Sequence, residues 1–282
     1  MIAEAKDFIT PHITDSHAID YPCFQTGFVC EYELPRWAPI HIGRFALDIS
    51  PTRHVVMLWI AAALCIVFTL MALRAHNKRT ATGRAPGGFG NGLEALVLYL
   101  RNEVVLPNVG PHGNGFVPFL VTIFFFILFV NLLGLVPYGA TATGNISVTA
   151  TLAIVAFIVI EIAGMRAQGK AYINTIVFWP HDMSLGMKLF ISPILTPIEL
   201  LGKFTKPFAL AIRLFANMIA GHVVLLALIS LIFTFATWAL VPVPVAMALG
   251  ISLLELFVSF LQAFIFTLLT SVFIGLIREG AH

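Results

Sequence analysis

The sequence predicts an all-α polytopic membrane protein: about three ordinary transmembrane helices, an interfacial helix, and a long, strongly tilted C-terminal hairpin of two helices. Three observations predict it. Of 282 residues, 59% are hydrophobic and only 11% charged, where a soluble domain carries about 25% charged residues. Apolar runs of about 20 residues recur, the length that crosses a hydrocarbon core, and the mean hydropathy is +0.94. The last two runs, 193–240 and 243–277, are much longer than one perpendicular crossing needs.

Several function classes fall away at once. A net charge of +2 is too small to suggest nucleic acid. Three cysteines, two of them near the N-terminus, form no metal pattern. No cofactor motif is present. Glu4, Lys6 and Asp7 come first and no apolar stretch follows them, so no cleavable signal is expected. There is no internal repeat and no low-complexity tract.

In order, residues 1–52 read as an extramembrane arm, since Pro11, Pro22, Pro35, Pro39 and Pro51 break any long helix. His12, His17, His41 and His54 lack tight ligand spacing and read as surface histidines. Cys23 and Cys30 bridge if the arm faces an oxidising compartment, which spacing alone leaves open. Residues 53–282 then form a single integral membrane domain. Its first span, about 54–73, ends in Arg74, His76, Lys78, Arg79 and Arg84. Such a basic flank belongs on the cytoplasmic or matrix side, which puts the arm on the opposite, proton-rich side. Residues 83–92 are Gly-rich. Leu93, Leu96, Leu100 and Val104 recur at helical spacing and suit an interfacial amphipathic helix.

The second span, about 116–136, carries Asn131 and Gly134, an amide and a small residue of the kind that packs membrane helices closely. The third, about 146–165, carries Glu161 near its inner end, within reach of headgroup water or Arg166, a structural role. Arg166 and Lys170 return the chain to the inner side. Gly164-Met-Arg-Ala-Gln-Gly-Lys-Ala171 nearly spells a phosphate-binding loop. Ala171 stands where Ser or Thr would hold magnesium, and a membrane helix precedes it, so no nucleotide site is expected. Residues 172–192, with Trp179, Pro180, His181 and Asp182, look interfacial. Along the final hairpin, Pro197, Pro207, Pro242 and Pro244 are the expected bends.

The hairpin concentrates the polar chemistry. Between Pro207 and Ile277 the only Asp, Glu, Lys or Arg residues are Arg213 and Glu255. At about 100° per residue, Asn217 lies about 40° from Arg213, Glu199 also falls near 40° if Pro207 does not rotate the helix, and His222 is on the far side. On the later helix Glu255, Ser259 and Gln262 make one polar stripe. A stripe of titratable and amide groups on each of two long helices points to an aqueous path. A secondary transporter would show repeats and discontinuous helices in both halves, and neither is seen. A purely structural anchor needs none of Arg213, His222, Glu255 and Gln262 at depth.

Lys206-Pro207, then Ala211-Ile-Arg-Leu-Phe-Ala-Asn-Met-Ile-Ala-Gly221, then Leu261-Gln-Ala-Phe-Ile-Phe266, resembles subunit a of the rotary F-type ATP synthase. Phe129-Val-Asn-Leu-Leu-Gly-Leu-Val-Pro137 is similar to that family's second-span signature. The resemblance covers roughly residues 54–280 and leaves out the arm. It implies a proton-conducting stator of the Fo sector, non-catalytic by itself, in a bacterial or mitochondrial inner membrane. The partners it implies are the ring of c subunits, b-type peripheral-stalk subunits, the lipid bilayer and translocated protons. Two long tilted helices hug the ring, and two offset half-channels each reach halfway across the membrane. Arg213 occupies the family's essential arginine position, with Asn217 and Gln262 as its polar companions. Glu199 matches the acid of the inner half-channel, and His222 with Glu255 an acid–histidine pair of the outer one. In one bacterial branch the acid sits on the earlier helix and the histidine on the later; here they are exchanged, as in mitochondrial and related bacterial members.

Overall fold

The computed structural model describes residues 14–23, 29–42, 45–48, 50–82, 89–111, 113–136, 139–169, 172, 185–235 and 241–279. Among the described residues the membrane part is built of helices: α1 (Arg53–Thr82), α2 (Phe89–Tyr99), α3 (Leu106–Val109), α4 (Val117–Leu135), α5 (Ile146–Gln168), α6 (Leu185–Phe235) and α7 (Pro242–Glu279). Five of the described helices are long and apolar enough to cross a membrane. Hydrocarbon offers the backbone no water to bond, so a chain at that depth coils into helices that satisfy themselves. The same constraint explains α6. Its 51 residues run as one helix through Pro193, Pro197 and Pro207, so none of these prolines ends it. Each proline loses one N–H bond, whereas a full break would strip several groups of partners. Pro242 opens α7, where its missing N–H is an orphan in any case. At 1.5 Å per residue, α6 and α7 measure about 75 and 55 Å, against about 30 Å of hydrocarbon.

The chain divides into two compact units, and the division falls within α4, α5, α6 and α7. One unit comprises Ala85–Phe124, Thr149–Arg213 and Phe264–His282. A π-helical segment, Leu100–Val105, joins α2 to α3. The expected amphipathic face continues through it, with Leu100, Val104, Val105 and Val109 all buried. Val105 and Val109 join Leu120, Ile160, Ala163 and Ile274 in the core of this unit. Close approach is bought by two glycines: a methyl at Gly164 would lie 2.8 Å from the Ile277 side chain, and one at Gly275 would run into the Asn108 carbonyl. Arg278 closes the end of α7 by donating to Val109 O at 2.9 Å and Pro111 O at 2.7 Å.

The other unit comprises Met1–Arg84, Phe125–Val148 and Leu214–Ala263. Its core gathers Met57, Ala61, Val130, Ala140 and Ala142, with Phe129 and Leu133 against them. The arm belongs here and holds two antiparallel strand pairs that sequence patterning did not reveal. Strand β1 (Ala18–Pro22) pairs with β2 (Val29–Glu33), and β3 (Ile40–Ile42) with β4 (Phe45–Leu47). Cys23 and Cys30 are disulfide-bonded across the first pair, with Cα atoms 5.7 Å apart.

The arm is latched to the head of α1. Arg53 donates to Thr14 O at 2.9 Å and lies 3.6 Å from the Asp20 carboxylate. His17 Nδ1 meets Pro51 O at 3.2 Å. His54 Nδ1 is 3.3 Å from Asp15 Oδ1 and 3.3 Å from Asn145 Nδ2. His54 is only 3% exposed; the expectation of a surface histidine fails there because the docked arm covers the helix end. His17 is half-buried and His41 exposed, while His12 lies outside the described residues.

Partial burial raises the Asp15 pKa, but the hydrogen bonds and charge of His54, with the Thr52 hydroxyl, outweigh it and hold the carboxyl below its ordinary 3.8. A depressed folded pKa stabilises the latch fully above the unfolded value, and this is lost as pH falls through the folded one. Protease access to the arm is therefore expected to rise as pH drops below about 3.8. In Asp15→Asn the arm should be more accessible at neutral pH, with a flatter acid transition. Equal access in both proteins at every pH would contradict the latch.

Candidate functional site

Arg213 lies on α6 inside the apolar span Phe190–Ile232, and its side chain is exposed. Among the described residues no ion pair or hydrogen bond engages the guanidinium. At about 100° per residue, Gly202, Ala209, Ala216, Ala220 and Ala227 all fall within about 60° of it, and all are exposed. Lys206, Val224 and Leu231 are exposed on the same face, so small side chains are interleaved with bulkier ones. Asn217, about one turn on, is also exposed and donates through Nδ2 to Gln262 Oε1 at 2.9 Å. Gln262 is 2% exposed, so this bond fixes a buried amide of α7 against α6.

Glu255 and Ser259 are buried on the same face of α7. Glu255 Oε2 and Ser259 Oγ have no hydrogen-bond partner among the described residues. The Glu255 side chain rests on Gly221, where a methyl would come within 2.9 Å of Cδ and 3.0 Å of Cγ. His222, the next residue, is half-buried. The pairs Asn217–Gln262 and Gly221–Glu255 set α6 and α7 antiparallel in this stretch. Asn131 is fully buried; it donates to Ser259 O at 3.4 Å and accepts from Thr143 Oγ1 at 2.8 Å. It thereby ties α4 to α7 and to the turn before α5. At Gly134 a methyl would sit 3.0 Å from Thr141 Cα, so only glycine fits.

The remaining acids belong to the other unit. Glu199 is exposed on α6, and α6 continues through Pro207 to Arg213 without a break. A cavity of about 200 Å³ is lined by Glu161, Gln168, Glu199, Lys203, Lys206 and apolar side chains including Phe157 and Phe273. Glu161 pairs with Lys203 at 3.4 Å, which corrects the expected reach to Arg166. Five residues along a helix is about 140° around it, so Arg166 points elsewhere. Lys203 also donates to the Tyr172 hydroxyl at 3.2 Å. The phosphate-loop look-alike begins within α5, and Lys170, Ala171, Trp179, Pro180, His181 and Asp182 lie outside the described residues.

A family model described as ATP synthase A chain matches residues 55–275. The chain belongs to the ATP synthase A chain family. Named relatives agree. The chain is 49% identical over 265 residues to "ATP synthase subunit a" of Chloroherpeton thalassium, covering 94% of this chain and 74% of that one. It is 45% identical over 278 residues to "ATP synthase subunit a 2" of Chlorobaculum tepidum, covering 97% and 74%. "ATP synthase subunit a" of Anaeromyxobacter dehalogenans strain 2CP-1 is 45% identical over 278 residues, covering 95% and 69%. The family match takes in every residue discussed at this site and starts after the arm. As a member of the family, the chain is a multi-pass membrane protein.

Two residues of the site escaped sequence reasoning. Gly221 sits in Ala-Gly-His and carries no chemistry of its own; only the partner helix shows why a side chain is excluded. Lys203 stands four residues after Glu199, a spacing that suggests an intrahelical pair, yet it bonds to another helix. The Gly221–Glu255 contact is directly checkable. In a protein without native cysteines, Gly221→Cys with Glu255→Cys should form a disulfide on mild oxidation, since Cβ atoms so close fall within bonding range. Failure to cross-link, in assembled protein with both thiols reactive, would show that the two helices meet elsewhere.

Proposed function

We propose that the chain is the proton-conducting stator subunit of an ATP synthase Fo sector, with Arg213 separating two aqueous half-channels that open against a ring of c subunits. The observation that carries this is Arg213 itself: a permanent cation, exposed within an apolar span. The chain performs no ATP chemistry; other subunits do. Its partners are the c-ring, b-type stalk subunits and the bilayer. The basic flank after α1 favours an inner loop there, with the N-terminus on the proton-rich side and the C-terminus inside.

The mechanism follows from charge in hydrocarbon. A ring carboxylate facing lipid must be neutral, because a bare charge there costs several kcal/mol. To exchange its proton it must ionise somewhere. A neighbouring guanidinium favours the ionised form, typically lowering a carboxylate's pKa by about 1–3 units. The ring carboxylate releases its proton on the inner side, where Glu199 accepts it, passes Arg213 ionised, and is reloaded from the outer side. Glu255 and His222 feed that reloading, with Ser259 completing the polar stripe and Asn217–Gln262 holding the helices beside the arginine. Arg213 keeps its charge and cannot relay a proton, and its field repels a hydronium crossing between the half-channels.

The test is coupling. Arg213→Ala should abolish both ATP synthesis and ATP-driven pumping in vesicles holding the complete complex, a loss of at least about 100-fold if the cation supplies about 3 kcal/mol. Arg213→Lys should not restore it, since an ammonium differs in geometry and sheds its proton when desolvated. Normal coupled synthesis in Arg213→Ala would make Arg213 a structural charge and end this account.

A further inference from the structure

The cavity beside Glu199 is lined by two cations, Lys203 and Lys206, and each contacts other groups. By spacing alone, Glu199 should be ion-paired. Lys203 is its i+4 neighbour, with glutamate on the N-terminal side, the favoured orientation for a helical salt bridge. Lys206, seven residues on, returns to the same face of α6. Yet Lys203 Nζ is bonded to Glu161 at 3.4 Å and to the Tyr172 hydroxyl at 3.2 Å, and stands 4.5 Å above the Tyr172 ring. Lys206 Nζ lies over the Phe273 ring at 5.2 Å. The other walls facing Glu199 are uncharged: Gln168 of α5, Phe157 and Ile160 of α5, and Leu276 and Ile277 of α7. No described residue makes an ion pair or hydrogen bond with Glu199.

We infer that Glu161 is a positioning residue for proton exchange: with Tyr172 it holds Lys203 away from Glu199, leaving that carboxylate able to bind and release a proton. The inference rests on the proposed reading of Glu199 as the inner proton acceptor. The competition is simple. Lys203 has one ammonium and two carboxylates within its reach, Glu161 across the cavity and Glu199 one turn back. Glu161 is partly buried, with side-chain exposures in the pair of 12% for Lys203 and 19% for Glu161, so its pairing is less screened than one at exposed Glu199. Tyr172 is buried and adds a fixed oxygen to the same ammonium. Freed from Glu161, Lys203 would fall back onto Glu199, and a carboxylate clamped by an ammonium resists protonation.

The experiment measures ATP-driven proton pumping by inverted vesicles carrying the complete complex, across a series of pH values on the inner, now outward, face. Glu161→Gln should reduce pumping several-fold near neutral pH and move the profile to lower pH by about one unit. Lys203→Gln should pump close to the native rate, and Glu161→Gln with Lys203→Gln should recover most of what the first change lost. Ion-pair packing alone gives a different pattern: both single changes harm equally and the double change recovers nothing. That pattern, or an unshifted profile in Glu161→Gln, overturns the inference, as does loss of assembled complex in Lys203→Gln or the double variant. Glu199→Gln in the same series separates the two levels. If it pumps normally, the reading of Glu199 itself is wrong; if it is impaired while the Glu161 pattern fails, only the positioning role falls.

Discussion

A guanidinium that cannot lose its proton, set in a helix built for hydrocarbon, is the constraint on which the rest of this protein depends. Insertion scales put such a charge at no less than about 2.5 kcal/mol. Gly202, Ala209, Ala216, Ala220 and Ala227 share its exposed face with Lys206, Val224 and Leu231. Among the described residues no hydrogen bond or ion pair engages Arg213, and the family to which the chain belongs assembles a larger complex. Under the proposed reading its counter-charge lies in a neighbouring subunit.

The buried polar groups of α7 are held by neighbouring elements of their own unit. Gln262 is held by Asn217, and the Ser259 carbonyl by Asn131, which is itself held by Thr143. The first two bonds cross between helices and so fix their register where hydrophobic packing alone is indifferent to rotation, while Thr143 reaches Asn131 from the turn before α5. Glu255 and Ser259 keep oxygens without partners among the described residues. Buried polar atoms in that condition are costly, and they sit on the polar stripe that the proposed proton path would wet.

Much of this was legible in the sequence because hydrocarbon imposes simple rules. Hydropathy runs marked the spans, and two charges in a 71-residue apolar stretch, Pro207–Ile277, pointed to the candidate site. What was not legible depended on partners distant in the chain. The prolines of the arm argued against helix and were silent about short strand pairs. His54 is buried because residues 14–20 dock over it, and nothing near it in sequence says so. The prolines of α6 suggested bends and could not say that one helix runs through all of them, kept whole by the cost of bare backbone in a membrane. Glu161 found Lys203 across helices where sequence offered headgroup water or Arg166.

The central claim is that Arg213 blocks protons as well as driving ionisation, and passive leak tests it most directly. Vesicles would carry the chain with its ring and stalk but without the ATP-hydrolysing sector, and proton flux would be followed under an imposed gradient with rotation prevented by cross-linking the ring to the chain. The account predicts that the cross-linked native assembly stays tight while cross-linked Arg213→Ala leaks steadily, because water on both sides then exchanges protons through one stationary ring site. A cross-linked Arg213→Ala assembly as tight as the native one would contradict it.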